Sequence, residues 1–144
     1  PSRLRMSKKT TTTDPVRSNI MRAVKSADTK PEMIVRRLVY AMGYRYRLHR
    51  KDLPGKPDLV FGPRRKAIFV NGCFWHGHDC SRGARQPKTN AEYWREKIAR
   101  NVKRDATNEI ALKAAGWSSL TVWECQTKAR DRAYLERALR EFLD

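Results

Sequence analysis

Asp58–Leu59–Val60–Phe61–Gly62–Pro63–Arg64–Arg65–Lys66–Ala67–Ile68–Phe69–Val70 reads as two short apolar strands joined by a Gly-Pro turn. The ten residues that follow, Asn71–Gly72–Cys73–Phe74–Trp75–His76–Gly77–His78–Asp79–Cys80, leave the second strand as a loop rich in metal-ligand types. That loop holds two of the chain's three histidines and two of its three cysteines. Asp58 therefore enters one strand while the candidate ligands leave the next. The pairing of these strands decides what the loop can meet.

Working outward, Leu53–Pro54–Gly55–Lys56–Pro57 separates this hairpin from Tyr44, Tyr46 and Leu48, which alternate with Arg45 and Arg47 as in a half-exposed strand. Before it, Pro31 suits a first helical turn, Ile34, Leu38 and Met42 repeat every four residues, and Gly43 offers a left-handed stop. Asp14–Pro15 starts a short helix over Val16 to Val24. After a polar loop at 81–89, Thr89 and Glu92 have capping-box spacing at the head of a helix running from about Asn90 to Ala115. Its Ile98, Val102, Ala106 and Leu112 fall in a sector about 120° wide, and Gly116 supplies a stop. A strand over Trp117 to Trp123 and a helix over about Arg132 to Leu143 follow. This order predicts a small α/β fold with a mixed sheet flanked by helices.

At 144 residues the chain has the size of one compact domain. The expected division is a flexible basic arm at 1–14, rich in Ser and Thr, and one domain at 15–144. A formal charge of +17, spread over both halves, attracts a polyanion and points to nucleic acid ahead of an anionic membrane or an acidic protein. No window holds eighteen continuous apolar residues, and the basic start runs into Thr and Asp, so neither a membrane span nor a secretory signal is expected. Three cysteines, two of them beside histidines, fit a reducing compartment better than a disulfide framework.

Cys73, His78 and Cys80 are soft ligands within a loop of eight residues, and Cys125 reaches them if the strand ending near Trp123 neighbours Ile68 to Val70. The resulting Cys3His set suits a closed, structural zinc ion. Buried thiols, an iron centre and a redox pair are the alternatives. His76 is not needed in that tetrahedron and is either a general base, a spare ligand or a surface histidine. Phe74 and Trp75 serve either as core residues or as rings that stack on bases or wedge a base step. Asp58 is either a Mg²⁺-binding carboxylate or a strand cap. Glu32 is a second acidic participant or a favourable first-turn charge.

The segments Leu53–Pro54–Gly55–Lys56–Pro57–Asp58 and Ile68–Phe69–Val70–Asn71–Gly72–Cys73–Phe74–Trp75–His76 resemble the very-short-patch mismatch repair endonucleases. The resemblance continues through Ser18 to Val24, Tyr93–Trp94–Arg95–Glu96–Lys97–Ile98 with Asn101 and Arg104–Asp105, and Gly116–Trp117 to Trp123–Glu124–Cys125. It implies a restriction-endonuclease-like α/β core and a single Mg²⁺-dependent nick on the 5′ side of thymine in a thymine–guanine mismatch, the lesion left by 5-methylcytosine deamination. It also implies that Asp58 and the main-chain carbonyl of Val70 bind Mg²⁺, that His76 activates water, that Glu32 supports, and that Cys73, His78, Cys80 and Cys125 hold zinc. Phe74, Trp75, Trp94 and Met21 are implied at the DNA. Asn71 departs from the pattern, standing where the best-known member has a histidine near the reacting phosphate; an amide orients water or phosphate but carries no charge. The resemblance further implies a monomer in the cytoplasm of a prokaryote, associated with the nucleoid, with downstream repair proteins as further partners. A related endonuclease acting on a paired site, and a non-catalytic zinc-stabilised DNA-binding module, are the competing readings.

Overall fold

The computed structural model describes residues 28–80 and 89–144. The arm at 1–14, the helix expected over Val16 to Val24, Met21 and the polar loop at 81–88 lie outside the described residues. The first described helix, α1 (Lys30–Ala41), has Thr29 as its N-cap, whose side chain accepts from the Glu32 N–H, and Pro31 in its first turn. Next come β1 (Arg47–Leu48), β2 (Leu59–Phe61), β3 (Lys66–Asn71), α2 (Ala91–Ala114), β4 (Ser118–Trp123) and α3 (Arg132–Leu143). Gly43 and Gly116 adopt the left-handed conformation expected of helix stops.

The sheet order is β1-β2-β3-β4, antiparallel at the first two junctions and parallel at the third. A mixed sheet flanked by helices is thus the observed architecture. Leu59 pairs with Ile68 across the hairpin, while Val70 and Asn71 stand opposite Val122 and Trp123. Strand alternation then divides the sheet's two faces. On one face Leu59, Phe61, Ile68 and Val122 join Val35 and Val39 of α1 with Leu135, Leu139 and Leu143 of α3 in a single buried cluster. On the other, Asp58, Phe69, Asn71, Ser119, Thr121 and Trp123 line an open groove that α2 walls on one side.

Three local expectations are corrected. The half-buried Ile34, Leu38 and Met42 flank the fully buried row Val35 and Val39, so the inward face of α1 is turned by about one residue. Asn90, left-handed at φ 56° and without a side-chain cap bond, precedes α2, so Thr89 and Glu92 form no capping box. Along α2 only Leu112 is buried, while Val102 is 44% exposed, because much of the apolar sector borders the open groove.

The C-terminus of α3 is held by cations, where main-chain carbonyls have no helical partner. Arg64 Nη1 donates to Leu143 O at 2.9 Å and Lys66 Nζ to Phe142 O at 2.6 Å, and the Tyr44 hydroxyl meets the Asp144 carboxylate. No described helix is long and apolar enough to cross a membrane. Leu139→Ala, at a site with 0% exposure, is expected to cost about 2–5 kcal/mol in urea unfolding. Ile110→Ala, at 70% exposure, should stay within about 0.5 kcal/mol of the parent.

Candidate active site

Asp58 directly precedes β2, where its N–H donates to Ile68 O at 3.1 Å and its Oδ2 accepts from Val70 N–H at 2.8 Å. Both bonds reach β3, so the hairpin fixes the carboxylate on the groove floor. Burial pushes its carboxyl up to about 6; the Val70 N–H opposes this, the Glu32 charge adds to it, and His49 opposes it. Glu32, only 1% exposed, comes from the first turn of α1. Its Oε1 accepts from Asp28 N–H at 3.0 Å, and its Oε2 lies 2.7 Å from His49 Nε2 and 3.5 Å from Arg36 Nη1.

Across the groove, His76 Nδ1 lies 2.5 Å from Asp105 Oδ2 on α2. With Nδ1 taken by the carboxylate, Nε2 is the ring nitrogen left for a water or phosphate. One turn earlier, Asn101 donates to the Trp75 carbonyl at 3.0 Å. Asn101 and Asp105 therefore grip consecutive loop residues from one helix face, as an i, i+4 pair can. The contact requires glycine at 77: φ is +64°, and a β-carbon there would come within 2.8 Å of Val102 Cγ2. Asn71, at the end of β3, and the Val70 main chain line the same groove.

Phe74, Trp75 and Trp94 form a half-buried edge-to-face cluster with centroid distances of 5.2, 5.4 and 6.1 Å, and Tyr93 extends it at 5.0 Å from Trp94. The rings pack edge to face on one another, and Trp75 also lines the groove. Immediately behind, the ligand atoms of Cys73, His78, Cys80 and Cys125 all lie within 4.8 Å of one another, an arrangement able to coordinate a metal. The His78 ring stacks on Trp123 at 4.2 Å and 12°. Burial pushes the Cys73 thiol up to about 12 and raises Cys125 as well; a coordinated cation reverses this, because metal-bound thiols ionise.

Thus Asp58, Glu32, Val70, Asn71 and His76 come together along one groove, and the four candidate zinc ligands converge beside it, with His78 also on its lining. Sequence reasoning missed Asp105 as the partner of His76, and it missed His49. The Asn101/Asp105 spacing was a usable signal for the first. For the second there was only a histidine just past a basic strand, which nothing local distinguishes from a surface residue.

The family model described as "DNA mismatch endonuclease Vsr" matches residues 9–82, just over half of the chain. The chain is 50% identical over 128 residues to type II nicking enzyme V.XorIIP of Xanthomonas oryzae pv. oryzae, covering 89% of this chain and 92% of that one. It is 42% identical over 130 residues to type II nicking enzyme V.NmeAIP of Neisseria meningitidis, at 89% and 92% coverage. To the DNA mismatch endonuclease Vsr of Escherichia coli it is 40% identical over 128 residues, at 89% and 81% coverage. The protein is therefore a nuclease of the DNA-nicking class. It belongs to the Vsr family.

The raised Asp58 carboxyl has a consequence for stability. Because its folded value of about 6 exceeds the ordinary 3.8, the cost of ionising it is absent below about pH 3.8, grows through the interval and is complete above about 6. Asp58→Asn should accordingly be more stable than the parent at pH 7 by about 2–3 kcal/mol in Mg²⁺-free buffer. The two unfolding curves should converge near pH 4, and a constant difference across that range would remove the ionisation cost from the account.

Proposed function

We propose that this protein is a mismatch endonuclease that nicks duplex DNA on the 5′ side of thymine in a thymine–guanine pair by Mg²⁺-dependent phosphodiester hydrolysis. The observation that carries the reading is His76, oriented by Asp105, on the wall of a groove whose floor holds the half-buried Asp58. In this reading His76 takes a proton from the attacking water, and Asp105 stabilises the imidazolium that results. Glu32 supports the acidic side, and the Asn71 amide orients water or a phosphate oxygen. Phe74 and Trp75, backed by Trp94, enter the duplex beside the mismatch, where weakened pairing lowers the unstacking cost.

The donor set suits a hard cation: Asp58 is pushed up by burial and by the Glu32 charge, so a cation at its carboxylate would relieve a cost the protein already bears. Asp58 and the Val70 carbonyl would hold Mg²⁺. Bound there, the ion supplies stabilisation of charge developing on the phosphoryl and leaving 3′ oxygens, with a 5′-phosphate and a 3′-hydroxyl as products. Three thiols and an imidazole suit zinc in the second cluster, with a structural role that fixes both ends of the His76 loop. The restriction-endonuclease-like core at 15–144 would act as a monomer at the nucleoid in the cytoplasm of a prokaryote, and the basic arm at 1–14 would close on the DNA.

The test is an end-labelled duplex with a thymine–guanine mismatch in varied flanks, beside its fully paired control, with and without Mg²⁺. The expected result is a Mg²⁺-dependent nick immediately 5′ of the mismatched thymine, absent from the control and abolished in Asp58→Ala while mismatched duplex is still bound. Equal cutting of the paired duplex would replace mismatch repair by site-specific nicking; binding without a cut would leave a DNA-binding module.

The two histidines of the loop should separate by metal content. His76→Ala is expected to lose about 10²–10⁴-fold in turnover while retaining one zinc per chain by elemental analysis. Cys125→Ser should lose the zinc and its cooperative unfolding.

A further inference from the structure

We propose that His49 is a positioning residue for DNA nicking, holding the buried Glu32 carboxylate in fixed relation to Asp58; this rests on the nuclease reading above. His49 uses two separate groups. Its ring Nε2 lies 2.7 Å from Glu32 Oε2, and its main-chain N–H donates to the Asp58 carbonyl at 3.0 Å. It thus joins the Glu32 carboxylate to the main chain of Asp58, the residue that carries the other groove carboxylate. The other partners of Glu32, the Asp28 N–H and the Arg36 guanidinium, come from α1 and the turn before it, so they orient the side chain without relating it to β2.

The backbone supports the same reading. His49 adopts φ 48°, a left-handed conformation unfavourable for a residue with a β-carbon, and such strain persists where the surroundings impose it. In this conformation the ring and the amide each have a partner. The arrangement differs from an ion site although Asp28, Glu32 and His49 have ligand atoms within 4.8 Å of one another. Arg36 Nη1 already lies 2.8 Å from Asp28 and 3.5 Å from Glu32, so a guanidinium supplies the positive charge there. His49 donates from Nε2 whether the ring is neutral or charged, and its action as a tether requires no change of protonation.

The groove therefore has two histidine–carboxylate pairs of opposite logic. In one, Asp105 orients His76. In the other, His49 orients Glu32.

The experiment measures single-turnover nicking of a thymine–guanine duplex across a Mg²⁺ series for the parent, His49→Gly, His49→Gln, Glu32→Gln and the His49→Gly/Glu32→Gln double variant. Glycine accepts the positive φ, so His49→Gly removes the ring without adding backbone strain. Metal-free binding of the same duplex is followed by fluorescence anisotropy. The expected result is a loss of at least tenfold in the His49→Gly rate with duplex affinity within twofold of the parent. Glutamine, which keeps an N–H donor, should recover a substantial part of that rate, and the double variant should be no slower than Glu32→Gln alone. Parental rates in His49→Gly, absence of recovery by glutamine, or losses that multiply in the double variant would each overturn the proposal while leaving the nuclease reading intact. A parent protein that cuts no duplex would overturn both.

Discussion

The parallel pairing of β3 with β4 is the constraint on which the rest of the site depends. Its register sets Asn71 opposite Trp123 and so brings the chain after β4 beside the loop after β3. Cys125, far from Cys73 in sequence, arrives close enough for its N–H to meet the Cys73 sulfur at 3.4 Å. The same pairing puts Trp123 against the His78 ring and within edge contact of His76. A parallel pair cannot be closed by a tight turn and needs a long crossover. That crossover contains α2, which supplies Asp105 and Asn101. One hydrogen-bonded ladder thereby locates the thiol cluster, the groove floor and the wall that grips His76.

Electrostatics gives the site a second layer. The chain has a strong positive excess, yet two carboxylates of the groove are drawn back from bulk water: Glu32 is almost wholly buried and Asp58 half-buried. Each is costly to place there and is held by specific donors rather than by the general charge. The surrounding cations serve a different purpose, drawing in a phosphate backbone without selecting a base. Discrimination has to arise closer in, where the loop's rings and fixed amides stand.

Much of this is legible in the sequence. The apolar runs of β2 and β3, the stop at Gly43 and the bounds of α3 followed from local pattern, and the Cys3His set followed from ligand chemistry plus one assumption about strand neighbours. The failures share a cause. The inward face of α1 and the exposure of α2 depend on which sheet face each helix borders, and periodicity gives a stripe without giving its surroundings. Asp105 and His49 were obscured for a related reason: each acts through a partner distant in sequence, and an Asp on a basic helix or a His after a basic strand looks solvated until the fold delivers that partner. The roles of Met21 and the arm belong to residues beyond those described.

The division of one sheet into a core face and a face that carries the groove constrains how such a chain can change length. Core and groove draw on alternate residues of the same strands: Leu59, Ile68 and Val122 point one way, while Asp58, Phe69, Asn71 and Thr121 point the other. Inserting or deleting one residue within β3 or β4 would exchange the two sets beyond that point, turning polar side chains into the core and apolar ones onto the floor. The turn at Gly62–Arg64, outside both ladders, can absorb such an event without changing strand parity. Length variation in descendants of this sequence should therefore collect at the hairpin tip and the surface loops, while the strands diverge by substitution alone.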